Sequence, residues 1–194
     1  MAILALPRGS RRGALPRPGV FFLAAALGVA AIGRAQPSAS IGRADSLEVA
    51  LRGAREACRR APASVAALDR LAALELRSYR ATHAAETLAA ARTAADRALA
   101  MAPADFDARR FRAAADLVEH RFADVEREAA RLHAERPVDA DVLGMIADAQ
   151  MESGRYREAL ATIQEMVNLR PGLPAYSRVS YAREIHGDLA GAVT

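Results

Sequence analysis

Four prolines, Pro62, Pro103, Pro137 and Pro171, fall at intervals of 41, 34 and 34 residues. This rhythm constrains the fold more than anything else in the chain. Proline lacks a backbone N–H and cannot continue the helix that runs into it. A Pro that returns at a fixed interval therefore marks one point in a repeated unit, the end of the second helix of a helix–turn–helix hairpin. The composition agrees: 52% of residues are hydrophobic but only 5% are aromatic, and Trp is absent. The apolar content is thus mostly Ala and Leu, which favour helices and pack them closely, whereas sheets draw on Val, Ile, Tyr and Phe.

The clearest copy of the unit is residues 140–173, ADVLGMIADAQMESGRYREALATIQEMVNLRPGL. Leu143 and Ile146 fill two large positions of its first helix, with Ala147 as the small contact residue. Gly154 makes the turn and Tyr156 opens the second helix. Ala159, Ile163 and Met166 follow as core positions, and Pro171 closes the unit. These positions, at this spacing, resemble the tetratricopeptide repeat, whose period is 34 residues. Gln150 departs from it, standing where the family often has Tyr.

One period earlier, 106–139 reads as a degenerate copy. Its second helix matches through Phe122, Val125, Ala129 and Leu132, but its first carries Arg109, Arg112 and Asp116 where apolar residues are expected. That helix is either rotated or degenerate. Asp105 and Asp139, two residues after their prolines, sit where N-caps belong. Residues 65–104 read as an elongated copy, because the seven extra residues of its interval equal about two helical turns and preserve the buried face. Its bend is expected near Thr82 to Ala85, with Leu68, Leu71 and Ala72 buried in one helix and Leu88, Ala91, Ala95 and Ala98 in the other. Residues 45–62 read as a lone helix with Ala50, Ala54 and Ala57 on one face, and Asp45 with Glu48 as a capping-box start. Residues 174–194 read as a truncated repeat with Tyr176 and Val179 buried and a turn at Gly187. A solenoid normally closes with a capping helix, and the chain stops one to two turns into its last helix. It is therefore expected to be a piece of a longer protein. The resemblance implies an all-α fold over 45–194, a right-handed α-solenoid of antiparallel helix pairs.

A signal sequence is expected ahead of it, over residues 1–35. Arg8 to Arg17 form a basic stretch, Gly19 to Gly33 an apolar run, and Gly33-Arg34-Ala35 a cleavage site before Gln36. The run is shorter than the ~20 residues of a membrane-spanning helix; a short uncleaved anchor, and with it membrane association, is the alternative. Ser10-Arg11-Arg12 with Leu15 partly resembles a twin-arginine signal, but Ala14 stands at the Phe position and ordinary export is preferred. Residues 36–44, QPSASIGRA, read as a flexible linker. The expected location is periplasmic or extracellular.

The pI of about 9.9 invites a nucleic-acid reading, but the charge is badly placed for one. No Lys occurs, and five arginines lie in the first 35 residues without an acid among them. The other 22 arginines face all 23 acids, so the remainder is near neutral and lacks the one-signed face that phosphate binding requires. No nucleic-acid partner is expected.

Nothing in the sequence assembles a reaction. Cys58, the one cysteine, lies at a packing position and reads as a buried thiol beside Arg59 and Arg60. His83, His120, His133 and His186 fall at separate bends or helix ends and share no ligand spacing. Phosphate-cradling glycine motifs and the GxSxG elbow are missing. No catalytic residue, metal or cofactor is expected.

The resemblance implies instead a groove, lined by the first helix of each hairpin, that holds a protein or peptide. Its positions correspond to Asp107, Arg110, Phe111, Ala114 and Leu117, then to Asp141, Gly144, Met145, Asp148 and Met151, and finally to Ser177 and Tyr181. Phe111 with Met145, and Leu117 with Met151, would form an apolar stripe flanked by Asp and Arg, suited to a peptide anchor. The competing possibility is that these apolar side chains simply pack between hairpins. Arg110 alone does not make the paired basic clamp that some family members close on a C-terminal carboxylate. The expected role is a non-catalytic scaffold; the alternative is a structural or oligomerisation segment of a larger protein.

Overall fold

The computed structural model describes residues 37–193, with side chains from Ser46 onward; the leader lies outside the described residues. These residues form helices α1 (Pro37–Arg60), α2 (Val65–Thr82), α3 (Ala85–Met101), α4 (Phe106–Val118), α5 (Phe122–Glu135), α6 (Ala140–Glu152), α7 (Tyr156–Leu169), α8 (Leu173–Ile185) and α9 (Leu189–Ala192), with no strand among them. They divide into two compact units at Leu132/His133. None of the helices is long and apolar enough to cross a membrane.

Each of the four repeat prolines sits where a helix has just stopped, and after the first three a short polar residue starts the next, while Gly172 follows Pro171. Ser64 accepts a hydrogen bond from the Ala67 N–H, Asp105 from Ala108, and Asp139 from Asp141 and Val142. These caps satisfy donors that the first turn leaves without an intrahelical partner. The bends inside hairpins need a left-handed residue. Gly154 (φ 75°) and Gly187 (φ 79°) supply it without strain, while His83 (φ 55°) and His120 (φ 59°) adopt it despite their Cβ atoms.

In the first unit α2 packs against α1, α3 and α4. Helices α2 and α3 are 18 and 17 residues long, against 13 for α4 and α6, and the bend between them falls at His83–Ala84. The core is small-residue packing, with Leu68, Ala72, Ala94, Ala95, Ala98 and Ala108 buried in one cluster with Cys58. Burial raises the Cys58 thiol pKa, and its Sγ contacts the Ala67 carbonyl at 3.3 Å.

Two sequence readings of α1 change. Residues 37–44, read as a flexible linker, belong to the helix, so Asp45 lies inside it and not at its start. Pro37 opens the helix at a position where its missing N–H costs nothing. The buried stripe of α1 is Leu51, Ala54 and Cys58, one register step from Ala50, Ala54 and Ala57. A charged residue is also enclosed here. Glu75 of α2 is 1% exposed, and its Oε1 accepts from Arg55 Nε at 2.9 Å and Nη2 at 2.7 Å.

Helix α4 fills its departing positions with ion pairs while Phe106, Ala108, Ala113 and Ala115 stay buried. Arg109 Nε meets Glu128 Oε1 of α5 at 2.6 Å. Asp116 is reached by Arg92 of α3 at 2.9 Å and by Arg112 and Arg121.

In the second unit Leu143, Ala147, Ala159, Ile163 and Met166 form the core with Ala175, Val179 and Ala182 of α8. Tyr176, expected to be buried, is 48% exposed. The buried stripe of α8 runs through Ala175, Val179 and Ala182, and Tyr176 lies one position off it.

Candidate partner-binding site

In the first unit Asp107, Arg110 and Phe111 share one face of α4, with Ala114 and Leu117 further along it. Asp107 Oδ1 accepts from Arg110 Nη2 at 2.8 Å, and the Arg110 guanidinium lies 4.9 Å from the centre of the Phe111 ring. Phe111 is only partly accessible, because it packs against Leu76, Ala91 and the alanines of α3. Asp69 of α2 belongs to the same surroundings. Burial, and then the charges of Asp105 and Asp107, push its carboxyl up to about 6, and its Oδ1 has no hydrogen-bond donor. Sequence reasoning missed Asp69, although it occupies in the first hairpin helix the place that Arg110 takes in the next.

In the second unit the arrangement centres on Asp148. Arg178 of α8 binds it with both ends of a fork, Nε to Oδ1 at 2.8 Å and Nη2 to Oδ2 at 2.6 Å, and donates through Nη1 to the Pro174 carbonyl at 2.8 Å. Burial acts to lower the Arg178 pKa, but the Asp148 charge and hydrogen bonds outweigh it and raise the value. Gly144 makes the geometry possible: a Cβ there would lie 3.0 Å from Arg178 Nη2 and 3.1 Å from its Cζ. Asp141 pairs with Arg170 at 3.3 Å.

One helical turn beyond Asp148 is Glu152, whose Oε1 is enclosed without a donor. Burial, then the Asp148 charge, push this carboxyl up to about 7. Tyr181, half-buried on α8, has its phenol pushed far above its usual range by burial and then by the charge of Glu152.

Met145 and Met151 do not reach a surface. They are 6% and 4% exposed, and Met151 belongs to the unit's core with Ala159 and Ile163. The anchor stripe expected from them is therefore packing, because helix-spaced apolar side chains bury where a neighbouring helix can cover them. Polar groups that the repeat pattern did not single out, Arg178 and Glu152, lie half-buried beside Asp148 and Tyr181. Only the pairing across helices reveals them.

Asp107–Arg110 and Asp148–Arg178 are thus held in fixed orientation by pairing along and across helices. Among the described residues no cluster of His, Cys, Asp or Glu has the makings of a metal site.

Tandem antiparallel helix pairs with proline-closed ends and left-handed turns define a helical-repeat architecture. No protein-family model and no curated protein matches the sequence. Solved structures do match. MamA (residues 41 to the end) from Desulfovibrio magneticus RS-1 is 19% identical, with 80% of this chain and 85% of that one covered and a TM-score of 0.58. A tetratricopeptide repeat protein from Parabacteroides merdae ATCC 43184 is 18% identical, with 78% and 57% covered and a TM-score of 0.63. YrrB, described as a tetratricopeptide repeat protein with an unusual peptide-binding site, is 14% identical, with 79% and 76% covered and a TM-score of 0.51. The chain has a tetratricopeptide-repeat-like fold.

Proposed function

We propose that this chain is a non-catalytic scaffold, exported to the periplasm or exterior, that recognises a protein partner through the first-helix faces of its hairpins. The observation that carries this is the pair of pre-set ion pairs on those faces, Asp107–Arg110 in one unit, where Asp107 is exposed, and the half-buried Asp148–Arg178 beside Tyr181 in the other. Orienting charged side chains before the partner arrives reduces the ordering cost of binding. The peptide-binding site described for YrrB supports the assignment by analogy of fold. Export is supported by the basic and apolar stretches of the leader. The absence of a nucleophile–base set in the sequence motivates the non-catalytic assignment.

Affinity capture from envelope extract tests the proposal, with the parent chain and an Asp107→Lys/Arg110→Glu/Tyr181→Ser variant as baits. The expected result is a specific partner retained by the parent and lost by a variant of unchanged helical circular dichroism. Retention by both baits would exclude these faces. Self-association without a partner would support an oligomerisation segment instead.

A further inference from the structure

Helix α4 carries charge on a second face. At about 100° per residue, Arg109, Arg112 and Asp116 lie roughly opposite Asp107, Phe111 and Ala114. Where the repeat calls for apolar packing, this side borders a cleft of about 740 Å³ between α3, α4 and α5. Part of its wall is apolar, from Leu99, Pro103, Ala104 and Ala113. The rest is charged, and unevenly so. Five arginines line it, at positions 109, 112, 121, 127 and 131, against the carboxylates of Asp116, Asp124 and Glu128. The lining therefore carries two surplus positive charges.

The surplus is arranged in two tiers. At the floor, Arg112 and Arg121 converge with Arg92 on the single carboxylate of Asp116, which is 13% exposed, and Arg109 is fixed by Glu128. Adding the flanking Arg92, Asp96 and Glu119, which pair with these groups, still leaves one more cation than anions. At the rim, Arg127 and Arg131 stand one helical turn apart on α5 with side chains 65% and 68% exposed. Arg131 shares its carboxylate, Glu128, with Arg109. Arg127 pairs with Asp124, but a guanidinium carries five donors in a planar fork, so one carboxylate each does not exhaust the two rim arginines.

We propose that this cleft binds an acidic segment of a partner protein, whose Asp or Glu side chains take the arginines at the rim while its aliphatic parts lie against Leu99 and Pro103. Nucleic acid is the poorer match. The interspersed Asp116, Asp124 and Glu128 would repel a continuous line of phosphates, whereas a peptide carries its charges at intervals that can avoid them. The site is independent of the one under Proposed function, since it lies on the other side of α4 and involves none of those residues.

The test is fluorescence anisotropy with the full chain and three labelled probes of about eight units each: a peptide alternating Glu and Ala, its Lys counterpart, and single-stranded oligothymidine. The expected result is binding of the Glu peptide that weakens as salt rises from about 50 to about 200 mM. It should fall roughly tenfold or more in Arg127→Glu/Arg131→Glu. The milder Arg127→Gln/Arg131→Gln, which adds no new charge, should fall in the same direction. Arg110→Glu should bind the Glu peptide as the parent does, which separates this site from the other face of α4. Equal binding of the Lys peptide, no binding of the Glu peptide, or full binding by both arginine variants overturns the proposal. Preferential binding of oligothymidine overturns it in favour of nucleic acid.

Discussion

Replacing Arg55 by Met tests how the N-terminal helix is held to the first hairpin. Glu75 is 1% exposed, and its Oε1 takes both of its hydrogen bonds from Arg55 while Oε2 has no donor. In Arg55→Met the carboxylate would keep its burial and lose the guanidinium that pairs with it. Breaking a fully buried pair in this way costs about 3–5 kcal/mol. Arg55 is itself 52% exposed, so water can replace part of what is lost, and the expected cost falls to about 2–3 kcal/mol. With a urea slope near 2 kcal/mol per molar, the midpoint should drop by about 1–1.5 M without a change of slope. The second arm is the double variant Arg55→Met/Glu75→Leu, which removes both charges and fills the volume with apolar atoms. It should recover to within about 1 kcal/mol of the parent, because the pair costs desolvation as well as supplying attraction. Urea unfolding followed by circular dichroism measures all three chains. A single variant within about 0.5 kcal/mol of the parent would refute the view that Glu75 depends on Arg55. A double variant as unstable as the single one would show that the damage is lost packing and not a stranded charge.

Glu152 gives a pH prediction. Its carboxyl is pushed up to about 7 from an ordinary 4.5, so the folded chain holds this proton more tightly than the unfolded chain. Stability should then fall as pH climbs from about 4.5 to about 7. Asp69 acts in the same sense between 3.8 and about 6. Glu152→Gln should flatten the decline between pH 5 and pH 8, and urea midpoints at the two values check it; an unchanged decline would count against the assignment. At the α4–α5 bend, His120 holds φ 59° where the best-matched hairpin has Gly154. His120→Gly should raise the thermal midpoint by a few degrees, about 0.5–1 kcal/mol, unless the edge-on contact with Phe122 at 5.5 Å outweighs the relieved strain. A lowered midpoint would show that the ring contact dominates.

The fold was legible because it depends on local rules. Prolines that stop helices, Asp and Ser that cap them, and small residues at helical spacing act within a few residues of themselves. Ser64, Asp105 and Asp139 therefore cap α2, α4 and α6 as their positions require. The start of α1 was less legible, since residues 37–44 are small and polar enough to suit either a linker or a helix.

The candidate site depended on what meets across helices, and there the sequence determined less. It marked Asp148 and Tyr181 by position, but not the fork from Arg178 thirty residues on, nor the approach over Gly144 that permits it. It left open whether Met145 and Met151 were groove anchors or packing between hairpins, and the structure encloses them. It read Arg109, Arg112 and Asp116 as a flaw in the repeat, where carboxylates and guanidinium groups from α3 and α5 make them a charged cleft. Periodicity along a helix tells which residues share a face. Only the neighbouring helices decide whether that face is buried, paired or left open to a partner.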